Sequence, residues 1–216
     1  MRPTRLDHVA LWVTDPDGIA GRTHDLLGFH EIERSDAFIL VGADARSGKL
    51  TLFTADGPRT AGALVEIGLR APGLAEQEVV ELGDELRLRL TAGDPAEPAD
   101  IDHVALLASN PRSARQRWLE LGFELAPPAA GGVLRARVGP TFVELRPGAP
   151  GSPARPLLNH LGVLVESVEE VERAGSRPEL GEVELVDAEN TVAAFVTGPD
   201  GVRLEYVAHK PTFSLR

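Results

Sequence analysis

The sequence predicts an α+β fold made of four βαβββ-type units, the second one degenerate, paired into two cup-shaped mixed sheets with helices outside. The first observation is a repeat: Asp7–Leu11 reads Asp-His-Val-Ala-Leu, Asp102–Leu106 has the same five residues, and Asn159–Val163 is a looser copy. The second is a Leu-Gly-Phe triplet after two helix-like stretches, at Leu27–Phe29 and Leu121–Phe123. The third is the content of 22 glycines and 17 prolines, which favours many short turns. Units of this size cannot bury a sheet alone, so they must pair.

The first unit carries the full pattern. A strand opens at Leu6, and apolar residues on both of its faces indicate that both are covered. A helix is predicted over Gly18–Leu27, with Asp15 or Asp17 as its N-cap and Gly28 as a left-handed C-cap. Strands are then predicted at His30–Arg34, Ala37–Val41 and Leu50–Thr54.

The second unit is degenerate. Its opening strand is predicted at Ala63–Leu69, and only Gly73–Gln77 remains where a helix would stand, which is too short to be stable alone. Two further strands are predicted at Val79–Leu82 and Glu85–Thr91. The segment Ala92–Ala99 is rich in proline, glycine and acidic residues, so it is the predicted linker.

The third and fourth units restart the pattern. Opening strands are predicted at Asp102–Ala108 and Leu158–Glu166, followed by helices at Arg112–Leu121 and Val168–Ala174. The tail Lys210–Arg216 is predicted either to be loose or to cover a sheet edge. The remaining strands are predicted at Glu124–Leu125, Val133–Val138, Thr141–Arg146, Val183–Asp187, Thr191–Thr197 and Val202–Ala208.

We expect neighbouring units to pair, one with two and three with four. This divides the chain into residues 1–96, an N-terminal pair without a metal, and residues 97–216, a C-terminal pair with a metal site.

Composition narrows the classes of function. A net charge of −11 disfavours nucleic acid and anionic membrane surfaces. The absence of cysteine excludes disulfides, thiolate nucleophiles and cysteine-type metal sites. No apolar run is long enough to span a membrane and no signal stretch is recognised, so a cytoplasmic location is expected. A small-molecule substrate is the expected partner, and exposed sheet edges are compatible with a homodimer.

Two histidines and two glutamates stand at matched positions. His103 and His160 lie on opening strands, and Glu144 and Glu205 lie on the closing strands of the same two units. Imidazoles and carboxylates are common metal ligands, so this combination could hold a metal ion. A single histidine or glutamate on such a strand would more often be structural or exposed.

The ordered recurrence of these motifs resembles the vicinal oxygen chelate superfamily. That superfamily contains glyoxalase I, extradiol ring-cleaving dioxygenases and bleomycin-type drug-binding resistance proteins. The resemblance rests on the repeated openings, the Leu-Gly-Phe helix ends and the closing segment Gly198–Glu205, and it covers nearly the whole chain. Four units in one chain match the layout of the two-domain extradiol dioxygenases in shortened form.

The resemblance implies a ligand set and two chemistries. His103, His160 and Glu205 would bind a divalent metal, with Glu144 as a fourth ligand or a catalytic base. Two histidines and one carboxylate on Fe²⁺ correspond to the extradiol pattern, which makes Fe²⁺ the favoured metal. Adding Glu144 gives the glyoxalase pattern, an isomerase or lyase with Zn²⁺, Ni²⁺ or Mn²⁺ as a Lewis acid. A metal-free binder of a small hydrophobic molecule is the alternative from another class.

The sequence departs from the extradiol pattern at two positions. Phe195 stands where those enzymes carry a tyrosine, and Val186–Ala188 contains no acid–base histidine. Tyr206 follows Glu205 directly, so on a strand it points to the opposite face.

The remaining histidines and four strand arginines are interpreted as structural or surface residues. His8 is interpreted as structural, because Leu52, Glu66 and Arg89 stand where its partners would be expected. His24, His30 and His209 are expected at the surface. Four strand arginines are expected to be exposed and paired with acids: Arg135, Arg137, Arg146 and Arg203.

Overall fold

The computed structural model describes residues 1–74, 78–151 and 153–216. Unit one contains β1 (Arg5–Val13), α1 (Pro16–Leu27), β2 (His30–Arg34), β3 (Phe38–Gly42) and β4 (Lys49–Thr54). Unit two contains β5 (Leu64–Pro72), β6 (Glu78–Glu81) and β7 (Arg87–Gly93). Unit three contains β8 (Asp100–Ala108), α2 (Pro111–Glu120), β9 (Glu124–Ala126), β10 (Leu134–Val138) and β11 (Thr141–Pro147). Unit four contains β12 (Leu158–Leu164), α3 (Val168–Glu172), β13 (Glu184–Asp187), β14 (Thr191–Thr197) and β15 (Arg203–His209).

The predicted α+β fold is confirmed. Units one, three and four follow the order strand, helix, strand, strand, strand. Unit two contributes three strands, and its candidate helix at Gly73–Gln77 runs into residues 75–77, which lie outside the described residues. The helix caps also follow the prediction, because Asp15 accepts a hydrogen bond from the Gly18 amide and Gly28 has a φ of 69°.

The strands form two mixed sheets that join the units differently from the prediction. The first sheet has the order β13-β14-β15-β12-β1-β4-β3-β2 and joins units one and four. The second has the order β6-β7-β5-β8-β11-β10-β9 and joins units two and three. The expected pairing of one with two and three with four is therefore wrong, and the segment Ala92–Ala99 connects two units of the same sheet.

The opening strands provide the junction in both sheets. β1 pairs antiparallel with β12, and β5 pairs antiparallel with β8. Because β1 and β8 begin with nearly the same residues, local sequence gives each of them the same pairing surface. The choice between partners is made by contacts among side chains that lie far apart along the chain.

Successive side chains along each strand point to opposite faces of the sheet. One face packs in the core, and the other, here called the cup face, lies on the concave side. On β4, Leu50 and Leu52 are fully buried in the core, whereas Thr51 and Phe53 line a cavity on the other face. Each helix packs against strands of its own unit. No helix among the described residues has the length and apolar character to cross a membrane.

Candidate metal centre

Three ligand-type side chains converge on the cup face of the first sheet. On the neighbouring strand β12, Gly162 lies opposite His8 of β1 and also opposite Glu205 of β15, while His160 is two residues earlier. Gly162 leaves space for the His8 ring, because a Cβ added there would lie 2.2 Å from the His8 Cε1 atom. The His8 ring therefore lies over Gly162 and reaches β15, which carries Glu205.

The three donor atoms form a small, nearly equilateral triangle. His8 Nε2 lies 2.9 Å from His160 Nε2 and 2.9 Å from Glu205 Oε2. His160 Nε2 lies 3.0 Å from the same carboxylate oxygen. Atoms that bind one ion at about 2.1 Å and at right angles to each other lie about 3.0 Å apart. The triangle thus has the dimensions of one face of an octahedral site, with the opposite face left open.

Neighbouring side chains fix the orientation of both imidazoles. Asp7 Oδ2 lies 2.8 Å from His8 Nδ1, and Asn159 Oδ1 lies 3.0 Å from His160 Nδ1. Since these oxygens accept hydrogen bonds, each Nδ1 carries the hydrogen and each Nε2 can offer its lone pair to a cation. Asp7 is held in turn by Lys49, whose Nζ is 3.0 Å from Asp7 Oδ1.

Without a metal, the electrostatics of the site favour a single proton on the three donor atoms of the triangle. Burial lowers the pKa of His8, but the charge of Glu205 and hydrogen bonds with Asp7 and Glu205 outweigh burial and raise the pKa to about 9. Burial raises the pKa of Glu205, yet the charge of His8 and the close contacts with both histidines hold it far below its ordinary value. Burial also lowers the pKa of His160. The site consequently carries a carboxylate, a neutral imidazole and a cationic imidazole whose proton a metal ion could replace.

This site forms the floor of a cavity of about 390 Å³. Phe195 is one of its walls, and its ring meets that of His160 edge-on at 5.1 Å. Tyr206 points to the opposite face as predicted, because its hydroxyl donates to the carbonyl of Leu121 in the core. The further apolar residues that line the cavity are Phe38, Leu40, Phe53, Val207, Phe213 and Leu215.

The structure brings together only part of the predicted ligand set. His160 and Glu205 meet, but their partner is His8, since His103 and Glu144 lie in the second sheet. Grouping His103 with His160 is therefore wrong, and so is the expectation that His8 lacks ligand-type partners. Both errors follow from the unit pairing, because unit four rather than unit two supplies the partners of His8.

The second sheet contains the equivalent positions with different chemistry. His103 Nε2 lies 3.9 Å from Glu66 Oε1 and 3.9 Å from Glu144 Oε2, too far for a hydrogen bond. Arg89 and Arg146 both bind the Glu66 carboxylate. Arginine side chains thus supply the positive charge that a metal would supply in the first sheet.

The register of the strands corrects one further equivalence. His103 lies opposite Phe142, two residues before Glu144, and His8 lies opposite Lys49, two residues before Thr51. Thr51, not Leu52, is therefore the counterpart of Glu144. It lines the cavity, so the position equivalent to Glu144 carries a hydroxyl in the first sheet.

The remaining candidates divide between confirmed and corrected interpretations. Each of the four strand arginines pairs with an acid as predicted: Arg135 with Glu144, Arg137 with Glu124, Arg146 with Glu66 and Arg203 with Glu184. His209 is not a surface residue, because its side chain is 11% exposed and stacks on Phe213 with ring centroids 4.2 Å apart.

Several solved structures share this fold. A candidate dioxygenase from Bacillus subtilis has a TM-score of 0.78 at 13% identity, covering 97% of this chain and 86% of that one. A glyoxalase I variant from Zea mays has a TM-score of 0.67 at 17% identity, covering 94% and 92%. The cppA protein from Streptococcus pneumoniae has a TM-score of 0.61 at 10% identity, covering 96% and 98%. No protein-family model and no curated protein matches the sequence. The neighbours confirm the fold that the repeated motifs predict.

Proposed function

We propose that this chain is a metal-dependent enzyme of the vicinal oxygen chelate superfamily, with extradiol-like dioxygenation of a small molecule bearing two adjacent oxygens as its reaction. The observation that carries the proposal is the triangle of His8 Nε2, His160 Nε2 and Glu205 Oε2, with sides of 2.9, 2.9 and 3.0 Å. Two histidines and one carboxylate on one face are typical of non-haem Fe²⁺ oxygenases.

The side chains around the triangle have defined tasks in this proposal. Asp7 and Asn159 hold the two imidazoles with Nε2 directed at the ion, and Glu205 balances part of its charge. The aromatic walls exclude water and orient the substrate above the open face. The Thr51 hydroxyl is available to a substrate oxygen. When bound, the metal supplies Lewis acidity and, in the case of Fe²⁺, reactivity toward dioxygen.

Two alternatives make different demands on the same residues. A glyoxalase-like isomerase or lyase would use Zn²⁺, Ni²⁺ or Mn²⁺, and it is favoured because Phe195 stands where the extradiol enzymes carry a tyrosine. The chain carries Thr51 where the glyoxalase pattern would place a carboxylate, and this favours the three-ligand dioxygenase site instead. A metal-free binder is favoured by the His8 imidazolium, which pairs with Glu205 without a metal ion.

Metal analysis and oxygen uptake separate these three functions. We expect about one Fe²⁺ per chain after anaerobic reconstitution, and oxygen uptake with a panel of vicinal diols. Tight Zn²⁺, Ni²⁺ or Mn²⁺ without oxygen uptake would point to the isomerase or lyase. Failure to retain any divalent metal in the folded protein would contradict both enzymes and leave the binder.

A glycine substitution tests the geometry of the site without removing a ligand. Gly162→Ala should weaken metal binding about 10- to 100-fold, because its Cβ would displace the His8 ring. Gly175→Ala is the matched control, since an added Cβ there meets no atom within 4 Å. Affinity is measured by competition with a chelator. Equal affinities in the two folded variants would show that His8 does not need to cross Gly162.

A further inference from the structure

The segment after β15 crosses the mouth of the cup. This C-terminal strap, residues 210–216, is attached to unit four through Asn190: the Lys210 amide donates to its carbonyl, and the Ser214 amide donates to its side-chain oxygen at 3.1 Å. At the far end, His30 of unit one contacts the carbonyl of Arg216 at 3.3 Å. Asn190 and His30 belong to opposite ends of the first sheet, so the strap connects the two rims of the curved sheet.

The strap presents apolar side chains inward and polar ones outward. Phe213 and Leu215 are half-buried and line the cavity above the candidate metal centre, whereas Thr212 and Ser214 are exposed. Phe213 is held on both sides, because its ring stacks on His209 and the Arg46 guanidinium lies over it at 5.2 Å. These contacts give the strap a fixed position.

The charges of the cavity disfavour an anionic occupant. Lys49 is the single lysine or arginine among its described lining residues, and its Nζ is bound to Asp7 Oδ1 and to the Ala45 carbonyl. The His8 imidazolium also lines the cavity, but it is paired with Glu205. Two acidic side chains, Glu33 and Glu189, also line the cavity. Away from the metal ligands, a carboxylate or phosphate on the ligand would therefore lose water without gaining an unpaired cationic partner.

We propose that the C-terminal strap forms the outer wall of the substrate site, and that Phe213 and Leu215 select an uncharged substrate with an aromatic or aliphatic body. The inference rests on the proposed function in taking this cavity as the substrate site. The two side chains act through apolar contact with the body of the ligand. They are specificity-determining residues and take no part in proton transfer.

Binding of two matched probes to the metal-free protein tests the proposal. 1-Naphthol is neutral, and 1-naphthoate has the same ring with a negative charge. We expect Phe213→Ala and Leu215→Ala each to weaken 1-naphthol binding about tenfold, through loss of buried apolar contact. Thr212→Ala, on the exposed side of the strap, should leave it within about twofold. Calorimetry provides the affinities, and thermal unfolding checks that each variant is folded.

Removal of residues 211–216 supplies a second readout. The truncated protein should lose bound metal to EDTA about tenfold faster than the full chain, because the chelator enters through the opened mouth. Unchanged 1-naphthol affinity in both alanine variants, or 1-naphthoate binding as tight as 1-naphthol binding, would overturn the proposal. The probe measurements use metal-free protein, so failure of the strap and failure of the metal site give separate results.

Discussion

Replacing His8 with alanine is expected to weaken metal binding by more than about 100-fold and to abolish the proposed activity. Changes to residues that merely orient a ligand typically cost 10- to 100-fold in metal affinity, and loss of a ligand costs more. His8 supplies one of three donors, all mutually within about 3 Å, so its loss leaves only two groups to hold the ion. Metal content after dialysis and chelator competition provide the measurement.

His103→Ala is the matched control, because His103 occupies the corresponding position on the opening strand of the second sheet. It has the same neighbour, an aspartate at 2.8 Å from its Nδ1 atom, and it is similarly buried. The substitution should lower thermal stability through loss of a buried side chain, and it should leave metal binding unchanged. Loss of metal in the His103 variant together with retention in the His8 variant would move the site to the second sheet.

The sequence was sufficient to predict the elements because their signals are local. The cap of α1 by Asp15 and the left-handed Gly28 each depend on a few consecutive residues. The unit pairing is different, because β1 and β8 have nearly the same sequence. Both also face a glycine, Gly162 or Gly68, that leaves room for a histidine ring. Neither strand by itself indicates which partner it takes.

A long-range signal for the pairing does exist in the charges. Unit two carries Glu66 and Arg89 on its site face, and unit three carries Glu144 and Arg146. Glu66 pairs with Arg89 inside unit two, and Arg146 of unit three adds a second contact to Glu66 because the two units share a sheet. Unit one then pairs with unit four, and His8 meets His160 and Glu205. An ion pair between units thus favours one pairing where hydrophobic periodicity leaves two open.

Metal affinity should increase about tenfold per pH unit between pH 7 and about pH 9 and then level off, because His8 must lose a proton before it can bind the ion. The pKa of His8 is raised from 6.5 to about 9 in the metal-free protein, so the imidazolium predominates below pH 9 and competes with the metal. The lowered pKa of His160 means that this ligand is already neutral at pH 7 and adds no second slope. Chelator-buffered titrations at several pH values provide the measurement, and calorimetry in two buffers counts the released protons.

Asp7→Asn is the variant that separates this explanation from a general effect of pH. Asp7 contributes to the raised pKa of His8 through a hydrogen bond and through its negative charge. An asparagine keeps an oxygen that can accept from Nδ1 but removes the charge, so the pKa of His8 should fall and the plateau should begin at a lower pH. An affinity that is flat from pH 7 to pH 9 in the unaltered protein would mean that His8 is neutral there. The proton would then not occupy the place of the metal, and the triangle of donors would be open to the ion at neutral pH without competition.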